Sequence, residues 1–552
     1  MATKVFFNNR QIKLPGAYST VVSGEKNPPR ALDYGKVLVI DTGNLGATWG
    51  GGAGIDGELS AGQDAVYKFD NLADYQDMLK GGLLWKCAEG LFFPDKRNAA
   101  AIGASEVYHV KVATTEAAEM TFTATGGTGN GGSFIFKTKD EGVGANGVLT
   151  GGATGHLDKG YAYTIESGVV DTAKWILKVW QGTWKGNHTD GISYDGIKKE
   201  DARAKLIAQS PEFNNIQTLI DWANTSSAFG NRFVLNATSA VVGTGVVLVA
   251  DVTAVAGYNV ASGGTETYST ANLQKVFDAV AEMDFSFILT DQYGTADYNS
   301  TENESVFAFM NSSQNKYERF LFIGGGQDKD EFTDSLAMPA NYDSPYVHIV
   351  HGQLGEASQL VSEGYRYWPS VVHTFKIAGR TAGKEPQVPI TNKSIGVDKL
   401  KHALTKIEKE RALDNGLLVT VYNDAINRFV VLQGVNTMQD NSILFNTSGK
   451  SHSIAFMRVI AQVNKELVIN SEIDLLGDEN GVNRNTLSPG FIREWTNTYL
   501  QSRIAIPEVD NLLLTARNVV VSQAEDTYEV TYEMVVNNEI TKIFFTGFLF
   551  RN

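Results

Sequence analysis

The sequence predicts a multidomain α+β protein. With 552 residues, the chain is too long for one ordinary domain, and three or four compact units are expected. It contains 55 glycines but only 12 prolines, which favours many turns between short strands. Apolar residues at helical spacing occur between these strand-like runs, so helices and strands are mixed along the chain.

Charge and cysteine content exclude several classes of protein. The net charge of −15 and the pI near 5.1 argue against a nucleic acid or an anionic membrane as the main partner. The single cysteine, Cys87, forbids an intrachain disulfide, and its apolar neighbourhood predicts a buried residue and not a catalytic thiol. We find no secretion signal and no run of about 18 apolar residues, so we expect a cytoplasmic product without a transmembrane helix.

The two ends of the chain are predicted to be extended β-arms. Residues 1–24 form a basic arm, with Lys4, Arg10 and Lys13 and no acid before Glu25. Residues 538–552 form a second arm that is dense in phenylalanine. The residues expected to form strands between subunits are Val5, Phe6, Phe7, Ile12 and Leu14 in the first arm and Ile543, Phe544, Phe545, Phe548 and Phe550 in the second.

Between the arms, local composition and the predicted helices and strands divide the chain into four parts. Residues 25–105 are the first part of a core and include a buried strand at Lys36–Asp41 and a helix within 71–93. Residues 106–240 are richer in Thr and Gly and are interpreted as an inserted β-rich domain of variable type. Residues 241–350 return to helix and strand as a second core part, and 351–537 form a C-terminal domain.

The C-terminal domain has the clearest sequence signals for the starts and ends of its helices and strands. Asp398 is predicted to cap a helix over 399–413 with an apolar stripe of Leu400, Leu404, Ile407 and Leu413, which ends at Gly416. Two strands follow, at Leu417–Tyr422 and Arg428–Leu432. Helices are predicted near 453–470 and 489–502, the latter with Pro489 in its first turn, and then strands at 517–523 and 527–536.

Motifs that could indicate a catalytic, cofactor or metal site are weak in this chain. The triplet Gly142, Gly144 and Gly147 matches a dinucleotide fingerprint, but the following residues do not predict the helix that a pyrophosphate site requires. His348 and His351 fall on opposite faces of a predicted strand, His402 and Lys406 are expected on a solvated helix face, and Asp474, Asp478 and Glu479 are interpreted as a polar turn. We therefore predict no enzyme, no catalytic residue, no metal and no cofactor.

Several short elements, in order, resemble contractile phage tail sheath proteins. Pro15, Gly16 and Tyr18 match an opening Pro-Gly-apolar-Tyr element before the first core strand. The stretches 262–290 (Gly-Gly, then helix and strand) and 140–147 (acid-Gly-x-x-Gly-Asn type) match the middle of the family. The C-terminal stretch Tyr367–Asp440, with the turn 413–416 and the strand end 434–437, matches its last domain. The family's Pro-Ala-Asn pattern is reduced to PQVPITNK at 386–393.

The resemblance implies a fold with a C-terminal α/β sheath-type core domain, a β-rich insert and terminal β-arms. It implies a virion protein that is assembled in the host cytoplasm, polymerises with itself as hexameric rings in a helical stack and surrounds a tail tube protein. Baseplate and tail terminator proteins would be its other partners, with no nucleic acid and no membrane. The tube-facing wall would include the 489–502 helix with Arg493 and Arg503. Contraction would drive the tube through the host envelope for genome ejection.

A physical argument supports arms that link subunits. Two apolar, β-prone ends on an acidic body are an aggregation hazard unless each adds a strand to a neighbouring sheet. Residues 471–552 carry twelve acidic and six basic residues, which complements the basic first arm. The sequence leaves open a phage tail, a tailocin or an extracellular injection system. It also leaves open a surface-exposed, β-rich protein that binds carbohydrate or a receptor through the insert.

Overall fold

The computed structural model describes most of the chain between the two arms. The described residues are 5–7, 10–12, 34–43, 55, 66–124, 132–150, 156–172, 174–213, 216–235, 258–294, 301–312, 319–439, 453–475, 488–506, 510–524 and 527–537.

A seven-stranded sheet forms the centre of the molecule. Its strands, in spatial order, are Leu417–Leu418, Val347–Val350, Phe320–Gly324, Phe287–Tyr293, Lys36–Asp41, Glu106–Lys111 and Val66–Phe69. All neighbours are parallel except Val66–Phe69, which runs antiparallel at one edge. Because parallel strands need crossover connections, helices cover both faces of this sheet.

Alternate residues of each central strand enter different cores. Val37 and Val39 pack on one face, whereas Leu38 and Ile40 pack on the other, as the period of two requires. The first face is covered by helices Leu72–Leu79, Leu83–Phe92, Ser370–Ala382 and the start of Ile454–Asp474. The second is covered by Leu273–Val280, Thr301–Met310, Phe332–Tyr342 and Lys406–Asp414.

The insert has its own apolar core and joins the body through a two-stranded neck. The neck pairs Ala113–Thr115 with Glu266–Tyr268, and beside it the Lys111 ammonium lies 3.2 Å from a Glu266 carboxylate oxygen. Beyond the neck lie strands Ala117–Ala124, Gly132–Glu141, Val148–Thr150, His156–Lys159, Tyr161–Ser167, Trp175–Gln181, Lys205–Gln209, Phe233–Leu235 and Asn259–Val260, with helices Ile216–Thr225 and Ser227–Gly230. Their buried side chains form a core separate from those of the central sheet.

The C-terminal part adds small sheets and two further helices to the body. Leu354–Ala357 pairs with Tyr365–Trp368 and with Lys399–Leu400, and Thr420–Asn423 pairs with Arg428–Val431. Helix Pro489–Ser502 lies beside Ile454–Asp474. A hairpin of Leu513–Ala524 and Thr527–Val536, named here the C-terminal hairpin, packs on both helices.

Several local predictions are confirmed by these elements. The strand Lys36–Asp41 and the helix Pro489–Ser502 have the predicted bounds, and Gly416 follows its helix with φ of 74°, in the left-handed region. Cys87 is fully buried. The Gly142–Gly147 turn leads into strand Val148–Thr150 and not into a helix, as expected.

The predicted helix over 399–413 is wrong in its first half. Lys399 and Leu400 form a strand against Leu354 and Gly355, and the helix begins only at Lys406. Thr405 and Glu408 form a reciprocal capping box there, in which each side chain accepts a hydrogen bond from the main-chain amide of the other residue. Asp398 instead accepts a hydrogen bond from the Ala357 amide, and Ile407, expected in the apolar stripe, is 69% exposed.

Three other expectations need correction. The helix expected within 71–93 is two helices, because Gly81 and Gly82 (φ of 85°) interrupt it. Glu106–Lys111, assigned to the insert, is a strand of the central sheet, while 258–268, assigned to the core, pairs with the insert and its neck. His402 is buried and precedes the helix, so it is not on a solvated helix face.

Candidate assembly surfaces

The first arm forms a small ribbon of its own. Val5–Phe7 runs antiparallel to Arg10–Ile12, with Phe6 opposite Gln11. Four of the predicted arm residues, Val5, Phe6, Phe7 and Ile12, therefore lie in strands. In the described part of the chain this ribbon pairs with no further strand. An isolated two-stranded ribbon is marginal in water, so it gains stability by joining a larger sheet.

The remaining predicted arm residues lie outside the described residues. These are Leu14 in the first arm and Ile543, Phe544, Phe545, Phe548 and Phe550 in the second. The described chain reaches Asn537, directly after the second strand of the C-terminal hairpin. The predicted second arm, 538–552, therefore follows this hairpin in the sequence.

The C-terminal hairpin offers long strand edges. Its strands have 12 and 10 residues and pair with each other. The one other described pairing on either strand is a bridge between Ile504 and Leu513 at the hairpin's start. Strand edges of this length carry several main-chain N–H and C=O groups with which a strand from another chain could pair.

One face of this hairpin is anchored and the other is open. Leu513, Ala516 and Val536 are buried against Val459 and Leu500 of the two helices. On the hairpin as a whole, large apolar side chains are also exposed, namely Leu514 (48%), Val520 (58%) and Val535 (52%). Glu529 and Glu533 are also exposed, and Glu533 is paired with Arg517 at 2.9 Å.

A buried ion pair fixes the short helix to the long one. The Arg503 guanidinium lies 2.6 Å from a Glu466 carboxylate oxygen, and their side chains are 7% and 3% exposed. The Tyr499 hydroxyl also donates to Glu466. Burial, followed by the Glu466 charge, raises the pKa of Tyr499 well above its usual range, so the phenol stays a donor.

The two predicted tube-facing arginines differ in exposure to solvent. Arg503 is committed to the interior of the C-terminal domain, whereas Arg493 is exposed and available to a partner. Sequence reasoning missed Glu466 and Tyr499. The signals that could have found them are the four-residue spacing of Tyr499 and Arg503 and a glutamate within an apolar helix. The tube-facing role of the helix stays a prediction.

Substitution of the two arginines should have unequal effects on stability. We expect Arg503→Lys to lower the free energy of unfolding by about 2 kcal/mol, because lysine cannot reproduce the guanidinium geometry against a buried carboxylate. Arg493→Ala should change it by less than about 0.5 kcal/mol, as for other exposed sites. Denaturant titrations of both variants measure this difference, and equal effects would contradict the structural role of Arg503.

No arrangement for catalysis or metal binding stands out among the described residues. They contain no group of three or more His, Cys, Asp or Glu side chains placed to hold a metal, and no helix long and apolar enough to cross a bilayer. Asp474 accepts a hydrogen bond from the Trp495 indole, and Asp478 and Glu479 lie outside the described residues. His348 contacts the Phe320 and Phe322 rings while His351 faces Ser335, so these two histidines do not converge.

A cleft of about 480 Å³ lies between helix Leu72–Leu79 and the insert. Its charged groups pair across the junction: Lys80 lies 3.1 Å from Asp140, and Arg232 lies 3.5 Å from Asp77. These ion pairs join the insert to the body across the cleft.

Comparison with known proteins identifies a shared fold. No family model matches the chain, and no curated protein matches it by sequence. Two solved structures share its fold. A sheath tail protein from Desulfitobacterium hafniense has a TM-score of 0.52 and 16% identity, covering 94% of this chain and 99% of that one. A sheath tail protein from Listeria innocua has a TM-score of 0.50 and 14% identity, covering 91% and 95%.

These similarities extend over almost the whole chain, insert included. The predicted resemblance to tail sheath proteins is therefore confirmed at the level of the fold.

Proposed function

We propose, from its sheath tail fold, that this chain is the structural subunit of a contractile tail sheath. The observation that carries the proposal is the likeness to a sheath tail protein over 94% of this chain and 99% of the other. Copies of the chain would stack as hexameric rings around a tail tube protein, between a baseplate and a tail terminator. Contraction would then drive the tube through the host envelope.

Neighbouring copies would be joined by donated strands. The ribbon Val5–Phe7/Arg10–Ile12 and the second arm are the donors, and the C-terminal hairpin is the acceptor because its two strands are long. Each main-chain hydrogen bond contributes about 1 kcal/mol net, so several are needed for a stable joint. A ten-residue strand such as Thr527–Val536 offers that number.

Charge would help to set the register of the joint. The first arm carries Lys4, Arg10 and Lys13, whereas the acceptor hairpin exposes Glu529 and Glu533. Opposite charges on two surfaces that meet guide the encounter and disfavour wrong partners more than they add affinity.

Contraction in this scheme needs no nucleotide. The array would be assembled in a metastable form, and a trigger from the baseplate would let the bodies rotate and bury more lateral surface. The arms would act as hinges that keep neighbours linked during this movement. The exposed face of helix Pro489–Ser502, with Arg493, would meet the tube.

Negative-stain electron microscopy of the purified full-length chain tests the proposal. Over a series of protein concentrations, with and without a candidate tube protein, we expect hollow tubes or stacked rings. A monomer under every condition, together with carbohydrate or receptor affinity in that monomer, would contradict the sheath function and favour a binding protein.

A further inference from the structure

Three of the chain's histidines meet at one edge of the central sheet. His351 directly follows the strand Val347–Val350, His373 lies in helix Ser370–Ala382, and His402 precedes helix Lys406–Asp414. The edge strand here, Leu417–Leu418, has only two residues and pairs only with Ile349 and Val350 in the described sheet. Side-chain contacts must therefore contribute much of what holds this edge in place.

His351 and His402 face each other through their ring nitrogens. Nε2 of His351 lies 3.3 Å from Nδ1 of His402, and these residues are 3% and 8% exposed. Nδ1 of His351 lies 2.9 Å from the Ser335 hydroxyl oxygen. Nε2 of His402 lies 3.5 Å from Glu408, whose other carboxylate oxygen accepts from the Thr405 amide at 2.7 Å. The chain of contacts thus runs from helix Phe332–Tyr342 to the cap of helix Lys406–Asp414.

A contact between two imidazole nitrogens requires one donor and one acceptor. The single hydrogen of the Ser335 hydroxyl can be donated to the Glu331 carbonyl oxygen, at 3.0 Å, or to Nδ1 of His351, at 2.9 Å. When it is donated to His351, His351 can donate to His402 and His402 can donate to Glu408, with both rings neutral. One added proton still leaves a single N–H between the rings. When both rings are protonated, two N–H groups and two positive charges face each other, and the contact is lost.

The other charged and titratable groups near the pair do not relieve this repulsion. His373 is bonded to the Gly352 carbonyl at 3.0 Å and to the Thr420 hydroxyl at 2.7 Å. Glu408 favours protonation of His351, whereas a proton on His402 or His373 would oppose it, and Lys329 also acts on Glu408. Burial, followed by these positive charges, lowers the pKa of His351 to about 3.

We propose that the His351–His402 pair is an acid-sensitive latch that holds the segment 401–414 on the edge of the central sheet. Opening of the latch frees His351 to take up a proton that the closed form excludes. The proposal rests on the geometry of this cluster and does not depend on the sheath function.

The direction of the effect follows from proton linkage. A histidine whose pKa is lower in the closed state than in the open state does not affect the stability of the closed state above the open-state pKa of about 6.5. Below that pH it reduces the stability of the closed state, and the reduction grows as the pH falls toward the closed-state pKa. At pH 5 the opening equilibrium should therefore be about 30-fold more favourable than at pH 7.5. Helix Lys406–Asp414 would lose protection first, because the sheet edge beneath it is short.

Hydrogen exchange measured by mass spectrometry on the full-length chain tests the latch. Rates are compared at pH 7.5 and pH 5, corrected for intrinsic chemistry, at a concentration where sedimentation shows one oligomeric state at both pH values. We expect peptides covering 399–416 to open about 30-fold more at pH 5 while the strand Lys36–Asp41 stays protected. Equal rates at the two pH values would overturn the proposal.

Two variants identify the responsible ring. His351→Gln keeps hydrogen-bonding capacity but does not titrate, so its ratio of opening between the two pH values should fall close to one. His348→Gln is the matched control, because His348 is also buried but contacts the Phe320 and Phe322 rings, and it should keep the wild-type ratio. An unchanged ratio in His351→Gln would overturn the latch. If that variant does not fold, the contrast between 399–416 and Lys36–Asp41 in the wild-type chain decides.

Discussion

Deletion of residues 1–14 should abolish polymerisation while the body of the protein stays folded. The deletion removes the ribbon Val5–Phe7/Arg10–Ile12 and with it every strand hydrogen bond that this arm would give to a neighbour. At about 1 kcal/mol for each of several bonds, the loss at each joint is enough to reduce association by orders of magnitude. Deletion of residues 540–552 should have the same effect. Electron microscopy and sedimentation measure the assembly, and circular dichroism measures the fold.

The body should tolerate both deletions because its elements lie outside them. The first central strand begins at Lys36 and the C-terminal hairpin ends at Val536, so no described core residue is removed. Val170→Ser is a suitable control, since Val170 is 92% exposed and belongs to the insert and to neither arm. The control should assemble normally. Tubes at normal yield from either deletion would contradict linkage through the arms.

Elements with strong local signals could be predicted from the sequence. Lys36–Asp41 is a short apolar run that ends at Thr42-Gly43, and Pro489 begins a helix after the capping residue Ser488. In both cases the residues that decide the structure are neighbours in sequence. The long strands of the C-terminal hairpin were found for the same reason, although their bounds were short by a few residues at the first strand.

Elements that depend on distant partners could not be predicted in this way. Lys399 and Leu400 are at helical spacing with later apolar residues, yet they pair as a strand with Leu354 and Gly355. His402 looks solvated in sequence because His351, its partner, lies far away in the chain. Tertiary pairing overrides local preference at both positions.

In the candidate assembly surfaces too, local features could be predicted from the sequence, whereas features that depend on distant residues could not. Apolar, β-prone termini are visible in the sequence, and so is an arginine in the helix 489–502. The burial of Arg503 is not visible, because it requires Glu466 on another helix to lie 2.6 Å away. Likewise, the neck of the insert is formed by two strands, Ala113–Thr115 and Glu266–Tyr268, that only the fold brings together.

A second buried contact ties the insert to the body through Arg366. This guanidinium binds the Asp190 carboxylate of the insert in a bidentate manner, at 2.6 and 3.3 Å, and donates to the main-chain carbonyls of Ser193 and Ile192. Arg366 is 5% exposed and stacks on the Trp368 ring at 4.7 Å. Although burial alone would raise the pKa of Asp190, the hydrogen bonds from Arg366 and the Ile192 amide, together with the charges of His188 and Arg366, lower that pKa.

Arg366→Met should therefore destabilise this junction by about 3–5 kcal/mol, because it leaves the buried Asp190 carboxylate without its cation. It also removes the guanidinium bonds to the Ser193 and Ile192 carbonyls, which keep the Gly196 and His188 amides as donors. Arg97→Met is the matched control. The Arg97–Asp398 pair is equally short, at 2.6 Å, but the Arg97 side chain is 58% exposed, so its loss should cost less than about 1 kcal/mol. Denaturant titration and hydrogen exchange of the peptide 186–196 measure the two effects.

The double variant Arg366→Met/Asp190→Asn separates the ion pair from simple loss of packing. Removal of the unpaired charge should recover part of the stability, so the double variant should be less destabilised than the sum of the two single changes. If the changes were additive, or if Arg366→Met were as mild as Arg97→Met, the charge pair would not be what fastens the insert. In that case the neck and the Lys80–Asp140 pair would have to hold the insert on the body.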